Sequence, residues 1–378
     1  MSIVGGFDMH RKQITFDYLD TTTGELRRGK ITPADRRTLR EWLGRFADYP
    51  ESVRFVVEGC TGWRYVVEEC RRAGIDIHVA EPADTASARG PKRHAKTDKL
   101  DAKHLRELLV QGRIPESWIP PEQVLEVRAK VRLYKDLRDE RTDWIQRIRA
   151  TLYHQGVPAL PGGVLAAGNR AALEAGVGLS PAGAQAVAVA LRQTDRLDAE
   201  INALLAEIRS FAAIQPGCKA LQRHYGIGKL TAVIIWAELG DTRRFSASRH
   251  AVRHTGLDIS VYASDGKRTR GHLARQGPPL LRWALFEAAK SAAKRTSPDH
   301  AYYLQVAERA GANRATLSVA RKLPGAVTTR CASSATRRSP RCESWTSRVC
   351  LPADQQWWRR GWLLHVTAAR PAWTARIE

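Results

Sequence analysis

The chain has 378 residues, 61 of them Lys or Arg and 39 Asp or Glu, for a formal charge of +22. That length predicts about two domains, each able to bury its own core, and so large a cationic excess predicts nucleic acid as the partner. No run of eighteen apolar residues and no basic-then-apolar leader is found, and the six cysteines form no CxxC pair, so a soluble cytoplasmic protein without a membrane span, zinc site or disulfide framework is expected.

Residues 3–7 form an apolar run ending at Asp8, and Ile14, Phe16 and Tyr18 alternate with polar residues at the period of a half-buried strand. Gly24-Glu25 reads as a turn. Leu39, Trp42, Leu43 and Phe46 give residues 37–46 a helical stripe. Val53 to Val57 reads as a buried strand with Glu58 at its end, followed by a helix over 63–73 and a strand through Ile75, Ile77 and Val79. Strands interleaved with helices predict an α/β domain. Next comes KTDKLDA, Lys96 to Ala102, in which Asp98 and Asp101 share one face of a helix continued by Leu105, Leu108 and Leu109. Lys92, Arg93, Lys96, Lys99 and Lys103 surround them. Two acids on one face within a basic surround point to a divalent cation serving a polyanion. Capping, with Asp98 favouring the helix dipole, is the other reading.

A helical pattern runs from Leu125 to Leu152, and residues 156–187 are rich in Gly, Ala and Pro, as in a loop or hinge. Leu197, Ile201, Leu204, Ile208 and Phe211 then repeat at four, three, four, three, a heptad seam. The two helices predict a coiled-coil-like spacer over 121–215, packed on itself or against a second subunit. Gly226-Ile227-Gly228 and Lys229 have the form of a helix-hairpin-helix turn, whose backbone N–H groups can meet a phosphate. A plain helix–helix turn is the alternative.

Asp8 and Glu58 at strand ends, Glu81-Pro82 and then KTDKLDA resemble the RuvC-like DEDD domain of the insertion-sequence one-ten family of transposases, relatives of the pilin-gene invertase. The resemblance covers about the first 110 residues. It resumes from Tyr225 to about Leu323, where Gly256 to Ala289 and NRATLSVARKL look like the family's C-terminal transposase domain. It implies an α/β RNase-H-like domain over 1–120, with Asp8, Glu58, Asp98 and Asp101 as catalytic ligands of Mg²⁺, and a mainly α-helical domain over 216–323. In that family a serine close to a glycine attacks DNA, and Ser264 occupies the position, with Ser260 as runner-up. Lys267, Arg268, Arg270 and Arg275 follow closely enough to neutralise a phosphate. Lys96, Lys99, Gly226, Gly228 and Lys229 complete the expected nucleic-acid contacts. The chain departs from many relatives in Asp265, which stands between the serine and Gly266, and in Gly277-Pro278-Pro279, which replaces a Gly-Asn pair.

The implied function is recombination of an insertion element: DNA strands are cut and rejoined through a phosphoserine intermediate, with a structured guide RNA and a homo-oligomer as partners. Two other classes fit the residues. One is a metal-dependent nuclease in which water attacks; the other is an inactive nucleic-acid-binding remnant. Residues 324–378 carry nine Arg, no Lys, three Cys and five Trp without a period of their own. A shift of one base near Leu323 would restore a helical continuation, so this stretch reads as an out-of-frame or disordered tail. Without it the chain keeps 52 basic and 36 acidic residues, a formal +16, and the nucleic-acid inference survives.

Overall fold

The computed structural model describes residues 2–89, 97–264 and 267–336, and the chain divides into two compact units, Met1–Glu122 and Gln123–Glu378. In the first unit the elements run β1 (Ile3–Met9), β2 (Ile14–Asp20), β3 (Leu26–Ile31), α1 (Arg36–Leu43), β4 (Val53–Glu58), α2 (Trp63–Arg72), β5 (Asp76–Ala80), α3 (Pro82–Ala88) and α4 (Asp98–Val110). The strands form one sheet in the order β3-β2-β1-β4-β5. β1 to β3 are an antiparallel meander, while β4 and β5 run parallel to β1. β3 and α3 are additions to the sequence reading. LRRGKI is mostly exposed and does not alternate, so its extension depends on the ladder to β2. The short α3 starts on Pro82, with the Glu81 side chain accepting from the Asp84 N–H at 2.8 Å.

The two faces of the sheet are built differently. Ile3, Phe7, Ile14, Phe16, Tyr18, Phe55 and Val57 pack with Trp42 and Phe46 in an aromatic core, where Phe7 stacks on Phe55 at 4.4 Å. The alternate residues, Val4 and Val56, meet Leu105 and Leu109 of α4, each such leucine contributing about 1.5–3 kcal/mol by burial. Gly6 makes that docking close. A Cβ there would lie 2.4 Å from the Ala102 carbonyl oxygen and 2.8 Å from the Arg106 nitrogen. On the same face Arg106 donates from Nε to the buried Asp17 carboxylate of β2, pinning α4 across the strands.

The second unit holds α5 (Glu122–His154), α6 (Ala167–Glu174), α7 (Pro181–Ile214), α8 (Pro216–Leu221), α9 (Lys229–Leu239), α10 (Ser248–Thr255), a hairpin of β6 (Ile259–Ser264) and β7 (Lys267–Leu273), then α11 (Pro279–Ala289), α12 (His300–Ala310) and α13 (Ala312–Thr336). The helices α5 and α7 are antiparallel neighbours. Lys130 pairs with Glu207 and Arg141 with Asp198, while Ile148 and Leu152 share a cluster with Leu191 and Val187. Seam residues Leu197, Ile201 and Ile208 are buried with Val127, Val131 and Tyr134, in one core with α9 and α11. The stretch read as a spacer thus shares its core with residues 216–323. α13 continues through Leu323 and Pro324 to Thr336, beyond the point where sequence periodicity is lost, since extending an existing helix avoids the cost of nucleation. Residues 337–378, most of the expected tail, lie outside the described residues.

Candidate active site

Asp8 is the penultimate residue of β1, and strand alternation turns it to the α4 side with Val4 and Gly6. Its carboxylate, 7% exposed, meets the first turn of α4. His10 Nε2 lies 3.0 Å from Asp8 Oδ2 and 3.2 Å from Asp98 Oδ1. Gln13 Nε2 donates to Asp98 Oδ2 at 3.0 Å. Ligand atoms of Asp8, His10 and Asp98 all fall within 4.8 Å of one another. Thr97 is the N-cap residue, its hydroxyl accepting from the Leu100 N–H, and Asp98 stands in the first turn, where its charge favours the helix dipole as well as facing Asp8.

Asp101 follows one turn later, is 7% exposed, and accepts from Arg89 Nη1 at 2.6 Å. Glu58 closes β4. Phe7 pairs with Val57 in the parallel ladder, so Asp8 and Glu58 are the next residues on adjacent strands, on one face and about 5 Å apart. The Glu58 side chain is half-buried and is outside the tight cluster of Asp8, His10 and Asp98. Burial is the main reason that the Asp8 carboxyl is held above its ordinary range; His10 draws it back, and the charges of Asp101 and Asp98 push it further up. Lys99 is exposed on α4, and Lys96 lies outside the described residues.

In the second unit, Ser264 is the last residue of β6 and pairs with Lys267, the first of β7. The expected turn serine therefore sits at a strand end, a hairpin that the sequence reading took as part of a helical domain. Asp265 and Gly266 lie outside the described residues, as do the side chains of Ser264, Lys267, Arg268 and Arg270. Arg275 is exposed beyond the hairpin with φ of 55°. The hydroxyl of Ser260 donates to the His272 carbonyl across the strands at 3.0 Å. The glycines of the α8–α9 turn have separate reasons. Gly226 has φ of 85°, and a Cβ there would lie 2.1 Å from Ser291 Oγ. Gly228 is the N-cap of α9, and a Cβ there would meet nothing within 4 Å. A depression of about 380 Å³ includes Gly228, Lys229, Thr231 and Arg209.

Comparison with known proteins bears on both units. A transposase model of the DEDD IS110 type matches residues 5–155, and the model described as "Transposase IS116/IS110/IS902 family" matches residues 218–305. The chain belongs to the IS110/IS116 family of transposases. It is 24% identical over 280 residues to a transposase for insertion sequence element IS1111A from Coxiella burnetii, covering 71% of this chain and 74% of that one. It is 25% identical over 243 residues to a probable family 20 transposase from Pseudomonas aeruginosa, covering 62% and 70%. A transposase for insertion sequence element IS1328 from Yersinia enterocolitica is 23% identical over 236 residues, covering 62% and 69%.

Membership implies a DNA-cleaving enzyme and divalent metal use, and the donor set of this transposase fits a metal. Carboxylates on facing elements suit a hard divalent cation. Thr15 pairs with Asp8 across the β1–β2 ladder and shares its face; its buried hydroxyl has no hydrogen-bond partner. A polar group in that position can hold a metal-bound water. Sequence reasoning missed His10, Gln13, Thr15 and Arg89. His10 lies two residues past Asp8, and that spacing was the available signal. Among the described residues, no helix of this transposase is long and apolar enough to cross a membrane.

Proposed function

We propose that this transposase moves an insertion element by cutting and rejoining DNA through a phosphoserine intermediate at Ser264, with Mg²⁺ held by Asp8, Asp98, Glu58 and Asp101. The convergence of Asp8 on β1 with Asp98 on α4, residues far apart in sequence whose carboxylates share His10, carries the reading. The sheet order β3-β2-β1-β4-β5, with β1, β4 and β5 parallel, supports an RNase-H-like fold for the acidic domain. When bound, the cation supplies positive charge to the phosphoryl oxygens and the leaving oxygen.

The chain's own residues have separable tasks. Asp8 and Asp98 would be ligands of the cation, and His10 and Gln13 hold their carboxylates in place by hydrogen bonds. Glu58 reaches in from the neighbouring strand. Asp101, which accepts from Arg89 Nη1, would add a further carboxylate to the ligand set one turn along α4. Ser264 Oγ attacks phosphorus, so that an Oγ–P bond forms and the bond to the leaving sugar oxygen breaks. The serine proton goes to solvent, and the sugar oxygen takes one up. Attack by the hydroxyl of another strand reverses the exchange, and phosphodiester energy is conserved throughout. Lys267, Arg268, Arg270 and Arg275 offset charge on the phosphoryl group. Gly228 and Lys229, at the open N-terminus of α9, contact the strand backbone. Guidance by a structured RNA and assembly as a homo-oligomer belong to the same reading, and the cationic surface suits both.

The test is a denaturing gel of protein with end-labelled element DNA. Wild type traps a covalent protein–DNA adduct, Ser264→Ala does not, and Ser260→Ala retains it. Cleavage by wild type with no adduct would instead establish attack by water and a metal nuclease.

A further inference from the structure

His10 stands inside the acidic site yet is not one of the four carboxylates of the family motif. It lies in the turn between β1 and β2, where its backbone N–H donates to the Gln13 carbonyl at 2.9 Å. The turn holds the imidazole beside Asp8 and the first turn of α4. A single ring nitrogen, Nε2, faces both carboxylates, 3.0 Å from Asp8 Oδ2 and 3.2 Å from Asp98 Oδ1. Gln13 Nε2 holds the other oxygen of Asp98 at 3.0 Å, so Oδ1 is the oxygen turned to the centre. The His10 side chain is 50% exposed, which leaves the group open to an ion arriving from solvent.

One nitrogen between two carboxylate oxygens is a poor hydrogen-bonding arrangement. Nε2 carries at most one N–H, which points at one oxygen or is shared weakly by both. The same separations suit a coordination sphere. Ligand atoms at right angles about a cation, with bonds of about 2.1 Å, stand about 3.0 Å apart. Among the described residues, the group of three metal-ligating side chains whose ligand atoms all lie within 4.8 Å of one another is Asp8, His10 and Asp98. Its tightest grouping therefore contains a nitrogen as well as oxygens. Mg²⁺ is served by oxygen ligands and keeps several waters, whereas imidazole suits later first-row divalent cations.

We infer that His10 Nε2 is itself a ligand of the cation held by Asp8 and Asp98, and that it raises the site's affinity for a nitrogen-accepting metal such as Co²⁺ relative to Mg²⁺. In that state Nε2 offers its lone pair in place of its hydrogen bonds, and the ring carries its one proton on Nδ1. Mg²⁺ takes a water at the same position. The inference rests on the reading that Asp8 and Asp98 hold a divalent cation, and names the residue that sets which cation is preferred.

The full chain is titrated with Co²⁺ by calorimetry, and with Mg²⁺ in competition, as wild type, His10→Gln and Asp98→Asn. Glutamine reaches about as far as imidazole and keeps an N–H for the carboxylates, so a role limited to hydrogen bonding survives the change. His10→Gln should lose at least about tenfold in Co²⁺ affinity, since even an outer partner of a ligand is worth about 10–100-fold. Its Mg²⁺ affinity should stay within about threefold, because water replaces the imidazole. Proton magnetic resonance of the wild-type Co²⁺ complex in water should show a hyperfine-shifted, exchangeable imidazole N–H that is missing from His10→Gln. Equal losses for the two cations, undiminished Co²⁺ binding by His10→Gln, or a wild-type complex without that resonance would overturn the inference and leave the carboxylate site standing. Failure of wild type to bind either cation, or undiminished binding by Asp98→Asn, would overturn the metal reading with it.

Discussion

Gly6→Ala tests whether the docking of α4 on β1 sets the active site. The added Cβ would stand 2.4 Å from Ala102 O, 2.8 Å from Arg106 N and 2.8 Å from Leu105 Cβ, where ordinary contact begins at 3.4 Å. None of these is the tip of a flexible side chain, so relief needs α4 to retreat by about 1 Å in a close-packed interior. Overpacking of this kind costs about 1–3 kcal/mol. Asp98 and Asp101 travel with the helix while Asp8 stays on the strand, and a misplacement of about 1 Å is worth on the order of 100-fold in rate. Gly44→Ala is the control. It has helical φ of −54° and open space around it, and it should be neutral or stabilising by about 0.4–1 kcal/mol. Urea denaturation gives the stabilities, and cleavage of labelled element ends gives the rates. Binding of Mn²⁺, followed by electron paramagnetic resonance, gives site geometry without turnover. If Gly6→Ala loses stability yet keeps wild-type Mn²⁺ spectra and cleavage, the helix position does not govern the site and the reasoning fails.

Asp98→Asn keeps the shape of the side chain and removes its charge, so strand cleavage should be abolished while nucleic-acid affinity stays within about twofold by filter binding; unimpaired cleavage would remove Asp98 from the ligand set. Glu69 should make stability depend on acid. Hydrogen bonds from Arg40 first, and from Arg36 and Arg72, hold its carboxyl down at about 2. A depressed carboxylate stabilises the fold above the unfolded value of about 4.5 and loses that contribution as pH falls towards 2. The arginines are 47–58% exposed, so solvent screening reduces a nominal ~3 kcal/mol to about 1–2 kcal/mol. Denaturation from pH 7 to pH 2.5 should therefore show a steeper acid loss for wild type than for Glu69→Gln, and equal slopes would refute the assignment.

Strands β1, β2, β4 and β5 and helices α1, α2 and α4 were legible because each carries its own burial period. Asp8, Glu58 and Asp98 were legible as acids at element ends, and their resemblance to a family motif joined them. β3 was not legible, since an exposed edge strand such as LRRGKI takes its shape from the ladder to β2. The hairpin of β6 and β7 was missed for a similar reason: its residues acquire extended geometry by pairing with each other.

Tertiary structure also decided which partners the legible residues have. The heptad on α7 is compatible with a second subunit or with its own chain, and only packing shows it buried against α5, α9 and α11. Gly226 read as a phosphate contact, and packing adds a separate reason for glycine there, since a Cβ would meet Ser291. His10 is marked in the sequence only by its spacing from Asp8, and becomes part of the site only when α4 brings Asp98 within 3.2 Å. Local pattern determines which face a residue occupies, because helix and strand geometry repeat along the chain. Which distant residue shares that face depends on how the elements pack, and Gly6, by admitting the backbone of α4, fixes that here.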